Sequence, residues 1–359
     1  MKKVVVGLSG GVDSSVAAYL LKQQGYDVVG LHMQGENPET REEDEKRVRE
    51  ICKELKIECV VVDYKDHMQI VKDYFVNEYK LGRTPNPCVV CNKEVKFKPF
   101  LEYVEKFNAD YFATGHYAIV EHNEKGHFLK KAKDQDKDQT YFLCQLSNEQ
   151  ISKVLFPLGA LTKKEVRQIA VENNLITKDT KESYDVCFLG SQKFKDFMNE
   201  NYPEKAGDIV DIKSNKVVGR HTGISKYTIG QRRGLNIGGV NGFDQARWFV
   251  VKKDVENNVL FVSCGSSDEM FSSSCLVKDF NWISEKKTGE FCSNVKLRYR
   301  QPDQKTKVEV IDEKTLRLIF KEKQRSVTVG QFAVLYDDND NCLGGGEIID
   351  SCHSLNGDC

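Results

Sequence analysis

A glycine-rich turn between a short apolar strand and a helix constrains this chain more than any other feature. Val4–Leu8 reads as a buried strand and Ser15–Gln24 as a helix, joined by Ser9-Gly10-Gly11-Val12-Asp13-Ser14-Ser15. Glycine lets backbone approach a bound anion closely, and the first amides of a helix meet it with the positive end of the dipole. Gly7, Leu8, Ser9, Gly10, Gly11, Val12, Asp13 and Ser14 are therefore candidate phosphate-site residues. The serine hydroxyls add donors, and the Asp13 carboxylate could hold Mg²⁺ against phosphate oxygens. The turn has no Gly-Lys-Ser/Thr, which excludes a Walker A loop, and no G-x-G-x-x-G, which disfavours a dinucleotide site. Gly7–Gly11 does satisfy G-x-S-x-G, the nucleophile elbow of α/β-hydrolases. An elbow normally follows several strands of its sheet, however, and it leaves Asp13, Ser14 and Ser15 without a task.

The pattern around that turn sets the fold class. Val28–Met33, Cys59–Asp63 and Tyr111–Thr114 read as further buried strands, with helical stretches at Glu42–Lys56, Asp66–Leu81 and Phe97–Phe107. Thr162 with Glu165 forms a capping box that opens a helix to Asn173. Strand–helix alternation predicts an α/β domain with a parallel sheet over residues 1–201, its ligands at the carboxyl ends of the strands. From residue 202 to 267 glycine becomes frequent and helical periodicity disappears, which predicts a small central domain. Over 268–352 short alternating runs dominate (Asn294–Arg300, Lys307–Ile311, Leu316–Phe320, Phe332–Tyr336), as in a C-terminal antiparallel β-barrel.

Charge separates these segments. The whole chain has 53 Lys+Arg against 54 Asp+Glu, so a nucleic-acid surface must come from local clustering. Only residues 202–267 are basic, with 10 cations against 6 acids. Gly219–Arg233 holds Arg220, Lys226, Arg232 and Arg233, interleaved with His221 and Tyr227 and free of acids. That stretch is either a solvated face or an RNA contact. No apolar run approaches the ~18 residues of a membrane span, and the run after Lys2-Lys3 ends at Ser9, too short for a signal peptide. A cytoplasmic protein is expected.

Twelve cysteines are irregularly spaced, and most (Cys52, Cys59, Cys144, Cys264, Cys275, Cys292, Cys342, Cys352) are expected to be small buried thiols. Only Cys88 and Cys91 form a C-x-x-C pair, without the second pair a structural zinc site would need. Asp134, Asp136 and Asp138 imitate an EF-hand opening, but Gln139 and Gln145 stand where Gly and Glu are required, so no resident metal is expected.

Four strings narrow the function. They are Arg83-Thr84-Pro85-Asn86-Pro87-Cys88-Val89-Val90-Cys91-Asn92-Lys93-Glu94-Val95-Lys96-Phe97, Gly115-His116-Tyr117, Asp185-Val186-Cys187-Phe188-Leu189-Gly190 and Gly230-Gln231-Arg232-Arg233-Gly234-Leu235. The first reads as a proline-stiffened loop delivering a thiol beside Lys93 and Lys96, whose charge would favour the thiolate. The Ser9–Ser15 turn resembles the pyrophosphate-binding loop of ATP pyrophosphatases. Together and in this order the strings resemble the tRNA-specific 2-thiouridylases, from residue 3 to about 350.

The resemblance implies an ATP-dependent sulfurtransferase that adenylates the C2 oxygen of the wobble uridine in tRNAs of the Lys, Glu and Gln type. Sulfur then displaces AMP to give 2-thiouridine. It implies Cys187 as the persulfide carrier and Cys91 as the cysteine that frees its sulfur. Met33 and Gly115 would contact the adenosine. Asn86, Pro87, Cys88, His116, Lys137, Asp138, Gln139, Arg298, Tyr299 and Gln331 would meet tRNA. Cofactors would be ATP and Mg²⁺, and the sulfur donor a cysteine desulfurase or a relay protein. Cys88 stands where many members carry Asp, which leaves a second route open: Cys88, Cys91 and Cys187 as three ligands of an iron–sulfur cluster. Adenylation of another substrate, a serine hydrolase using Ser9, and a non-enzymatic RNA-binding protein are the competing readings.

Overall fold

The computed structural model describes residues 1–35, 38–124, 126–181, 187–189, 192–237 and 247–352. The N-terminal part contains strands β1 (Lys3–Gly7), β2 (Asp27–Gln34), β3 (Glu58–Asp63) and β4 (Tyr111–Ala113), a hairpin β5 (Ile119–Asn123) and β6 (Gly126–Lys130), and β7 (Val154–Leu155). Its helices are α1 (Val12–Gln23), α2 (Pro38–Leu55), α3 (Lys65–Lys80), α4 (Pro87–Val90), α5 (Lys98–Lys106), α6 (Thr140–Leu143), α7 (Asn148–Ser152), α8 (Lys163–Glu172) and α9 (Phe194–Asn201). The main sheet is wholly parallel in the order β3-β2-β1-β4-β7. The order reverses at β1, so the crevice at the ends of β1 and β4 is the topological switch point.

Alternation along β1 sends its side chains to two cores. Val4 and Val6 pack with Val16, Ala17 and Leu21 of α1, Val48 and Ile51 of α2, and Val166 of α8. Val5 packs on the other face with Val89, Phe97, Phe100 and Phe112. The phosphate turn therefore leads into one layer while the cysteine-bearing helix lies in the other. The predicted capping box holds: Thr162 Oγ1 accepts from Glu165 N and Glu165 Oε2 accepts from Thr162 N.

The central four-stranded sheet runs β10-β11-β8-β9, from β8 (Gly207–Asp211), β9 (Val217–His221), β10 (Trp248–Asp254) and β11 (Val259–Cys264). The C-terminal strands β12 (Phe271–Trp282), β13 (Glu290–Lys296), β14 (Gln304–Val310), β15 (Leu316–Arg325), β16 (Phe332–Tyr336) and β17 (Cys342–Cys352) close into a barrel, in the order β12-β15-β14-β13-β16-β17. This barrel is fused to the α/β layer. Phe332, Val334 and Tyr336 belong to the same core as Val5 and Phe97, and Tyr141 Oη donates to Phe332 O at 2.9 Å.

Several expectations need correction. The segment from Pro87 to Phe97 is helix, not loop: α4 runs directly into a π-helical stretch, Cys91–Phe97, and on into α5. Pro87 at the first helical turn pre-sets the backbone, and burial of Val89, Val95 and Phe97 holds the rest. The strand expected over Asn294–Arg300 ends at Lys296. Among the cysteines, Cys52, Cys144, Cys275 and Cys342 are buried thiols; Cys352 is buried but disulfide-bonded, Cys59 and Cys264 are only partly buried and Cys292 is exposed. His221 and Tyr227 lie inside the central domain, with Tyr227 in its apolar core and His221 Nε2 3.1 Å from Asn258 O. They cannot interleave with an RNA contact. No helix among the described residues is long and apolar enough to cross a membrane.

Candidate active site

The phosphate turn is braced from within. Ser14 Oγ lies 3.2 Å from Ser9 N, whose hydrogen it accepts, and itself donates to Gly11 O at 3.1 Å. Gly10 adopts φ +80°, which glycine accepts without strain, and Gly11 is the N-cap of α1. The Ser9 hydroxyl faces Ser14 Oγ at 3.3 Å, as befits a loop brace. Asp13 projects from the first turn of α1. Both its oxygens accept from Lys163 Nζ at 2.7 Å, and Oδ1 also accepts from Tyr117 Oη at 2.9 Å.

Tyr117 belongs to the Gly115-His116-Tyr117 string, whereas Lys163 was not singled out by the sequence reading, although one signal was available for it. It directly follows the Thr162 cap, and a cation at a helix N-terminus opposes the dipole, so its presence there asks for an anionic partner.

Gly115 sits against this loop. A Cβ on it would lie 2.8 Å from Asp13 C and 2.8 Å from Ser14 N, both backbone atoms. His116 follows, with Nδ1 2.7 Å from Thr114 Oγ1 and its ring beside Phe97 and Phe156. Desolvation there, with Lys96 nearby, lowers its pKa well below the ordinary histidine value. His116 is accordingly neutral at pH 7.

The thiol helix approaches the same sheet edge from the other layer. Cys91 is buried in a cluster with Tyr64, Val71 and Val95, against which Met33 from the end of β2 also packs. Met33 thus links the strand beside the phosphate turn to Cys91. Cys88 is exposed, while Asn86 and Pro87 are buried. Of the flanking cations, Lys93 Nζ donates to Gln145 Oε1 at 3.2 Å, and Lys96 also acts on His116. Cys187 opens a short 3-10 turn, Cys187–Leu189; its side chain, with Asp185, Val186 and Gly190, lies outside the described residues. The adjacent Phe188 packs on the Cys91 cluster and on Phe75, with ring centroids 5.2 Å apart. Residues 91 and 188 therefore converge despite their separation in sequence.

The barrel clamps the root of the thiol helix. Gln331 Nε2 donates to Thr84 O at 2.8 Å, and Thr84 N donates to Val329 O at 2.9 Å. Arg298 is turned inward, its Nη2 donating to Ile229 O at 3.1 Å, Ser326 O at 2.9 Å and Thr328 Oγ1. It docks the central domain on the barrel. Tyr299 packs against Phe142 with ring centroids 4.3 Å apart and planes tilted by 41°. Asp138 is buried, accepting from Ala132 N at 3.0 Å and Thr140 Oγ1 at 2.8 Å, and desolvation raises its pKa. Gln139 Oε1 accepts from Tyr117 N at 2.9 Å, and Lys137 stands half-buried beside it. Arg232 and Arg233 are exposed.

A parallel sheet carrying a glycine-rich turn at its switch point, with a cysteine-bearing helix and a fused barrel beside it, is the fold of a nucleotide-binding enzyme. Family models match along the chain: a tRNA methyl transferase HUP domain over residues 2–191, a tRNA methyl transferase PRC-barrel domain over 195–264 and an aminomethyltransferase beta-barrel domain over 272–348. The chain is 46% identical over 374 residues to the tRNA-specific 2-thiouridylase MnmA of Mycoplasma capricolum, covering 97% of this chain and 98% of that one. It is 47% identical over 355 residues to the MnmA of Alkaliphilus oremlandii, covering 96% of each. This chain belongs to the tRNA-specific 2-thiouridylase family. A solved U34-tRNA thiolase, NcsA from Methanococcus maripaludis with its [4Fe-4S] cluster, aligns at 21% identity and TM-score 0.36 over 56% of this chain and 67% of that one, too slight a likeness to carry an argument.

Proposed function

We propose that this enzyme replaces the C2 oxygen of the wobble uridine in tRNA with sulfur, using ATP to make that oxygen a leaving group. The supporting observation is the meeting of two chemistries at one sheet edge: the Ser9–Asp13 phosphate turn after β1 and Cys91 packed on Met33 at the end of β2. In the first step the uridine oxygen attacks the α-phosphorus of ATP and pyrophosphate leaves, held by the amides that open α1. Lys163, poised on Asp13, is within the site where an ammonium would offset the phosphate charge. The hard oxygens of Asp13, already holding one cation in Lys163, suit Mg²⁺, which when bound would neutralise charge on the phosphates.

In the second step sulfur arrives as a persulfide on Cys187. The Cys91 thiolate attacks the Cys187 sulfur, forming a Cys91–Cys187 disulfide and releasing hydrosulfide. Hydrosulfide attacks C2 and expels AMP, and a thiol reductant then supplies two electrons to reopen the disulfide. Neither a methyl group nor its carrier enters this scheme, whatever the family model's description. The exposed Arg232 and Arg233, the Cys88 surface and the neighbourhood of His116 and Lys137 form the tRNA-facing side. Asp138 and Arg298 support it from beneath.

The test incubates protein, ATP-Mg²⁺, a sulfur donor and unmodified tRNA, then measures AMP and thionucleoside together. Equal amounts of both are expected. AMP release without thionucleoside indicates another adenylated substrate, and activity without ATP, with Ser9 labelled by a fluorophosphonate, indicates a hydrolase.

A further inference from the structure

The seam between α3 and the barrel holds an acidic pair that neither reaction step uses. Glu78, in the last turn of α3, is buried, and Glu347 on β17 is about one-fifth exposed. Arg83 Nη1 lies 3.5 Å from Glu78 Oε1 and 3.4 Å from Glu347 Oε1. One guanidinium therefore bridges two carboxyl groups, and Glu78 Oε2 is buried with no hydrogen-bond partner. Tyr74 and Asp279 also face Glu347. Lys93, Glu94 and Lys314 stand with Glu347 around an adjoining cavity of about 340 Å³. Arg83 begins the segment that leads through Thr84 to Cys88 and Cys91, so whatever holds Arg83 holds the root of the thiol helix.

A single cation does not balance two carboxylates out of water, and like charges at this range favour retention of a proton on one of them. We propose that Glu347 keeps a proton beside the Glu78 carboxylate, and that the resulting Glu78–Arg83–Glu347 group, neutral overall, is the positioning element that ties the thiol helix to the barrel. Burial, then the neighbouring Glu78, pushes Glu347 up to about 7, with Arg83 pulling the other way. The folded chain holds this proton more tightly than the unfolded chain does. The contact is therefore intact at low pH and loses stability as pH rises toward 7, leaving two carboxylates on one guanidinium above it. The consequence for sulfur delivery rests on the thiolation reading; the protonated Glu347 anchor itself does not.

Hydrogen exchange at the Thr84 amide, which bonds to Val329 O across the seam, reads the anchor directly. After correction for the intrinsic pH dependence, its protection factor should fall by about tenfold between pH 6 and 8 in the native protein, one proton's titration past its pKa. Glu347→Gln removes the titrating proton, and Glu78→Gln, separately, removes the neighbouring charge that holds it; each should abolish that fall. The thiolation rate per adenylated tRNA should decline over the same pH range in the native protein and stay flat in Glu347→Gln, while AMP release follows one common profile in both. A native protection factor that does not change with pH, or a parallel fall in both variants, overturns the anchor. The predicted exchange behaviour in a protein that never thiolates tRNA would keep the anchor and remove the thiolation reading.

Discussion

Gly115→Ala isolates the part of the site where one methyl group should decide activity. The ideal Cβ would meet Asp13 C and Ser14 N at 2.8 Å and Asp13 O at 3.0 Å. Ordinary contact begins near 3.4 Å, so the start of α1 must withdraw by about 0.6 Å. These are backbone atoms, which cannot rotate aside as a side chain would. Gly115 is not among the positive-φ glycines, so the substitution adds no backbone strain, and the effect comes from contact alone. Overpacking of this kind costs roughly 1–3 kcal/mol. A misplacement of ~1 Å at reacting groups costs about 10²-fold in rate, so AMP release should fall roughly 10- to 100-fold. Affinity for tRNA should fall far less than AMP release, because Arg232, Arg233 and the Cys88 surface are untouched. The assay is AMP release with saturating tRNA, alongside filter binding and thermal unfolding. A folded Gly115→Ala protein that releases AMP within twofold of the native rate would refute the packing argument.

Lys163→Met should lower AMP formation by about 10²- to 10³-fold through loss of one charged donor at the phosphates, with tRNA affinity unchanged by filter binding. Reversing Arg232 and Arg233 to Glu should weaken tRNA binding and flatten its salt dependence by up to about two in log–log slope, since fewer counterions are released; an unchanged slope places the RNA elsewhere. In Cys91→Ser, mass spectrometry after sulfur loading should find persulfide retained on Cys187, whereas Cys187→Ser should carry no sulfur at this site. Sulfur accumulating on Cys91 in the latter would reverse the two roles. For Cys88, anaerobic reconstitution with iron and sulfide followed by EPR should give no cluster signal, and Cys88→Asp should thiolate in air. Loss of both a signal and thiolation in Cys88→Ala would replace the persulfide route with a cluster.

Features of short range were legible. The alternation of β1 to β4 with helices, the capping box at Thr162 and Glu165, and the strand Phe332–Tyr336 each depend on residues within a few positions of one another. The Ser9–Ser15 turn into α1 was legible for the same reason: glycines leading into a helix N-terminus act through consecutive residues. The π-helical Cys91–Phe97 stretch was not, because Val95 and Phe97 hold it by burial against distant elements, and the local signals just before it (Pro85, Asn86 and Pro87) point to a loop.

What this sequence determined by itself was the fold class, the phosphate turn and the set of cysteines, since hydrophobic period and turn chemistry act locally. Only the tertiary structure decided which groups meet. Asp13 finds Lys163 150 residues away, Gln331 finds Thr84 across 247, and Arg83 finds Glu347 across 264. The same packing turned Asp138, His221 and Arg298 inward, although their surroundings in the chain read as surface. Contacts at such separations form because several buried faces must close on one another at once, and no window of neighbouring residues carries that requirement.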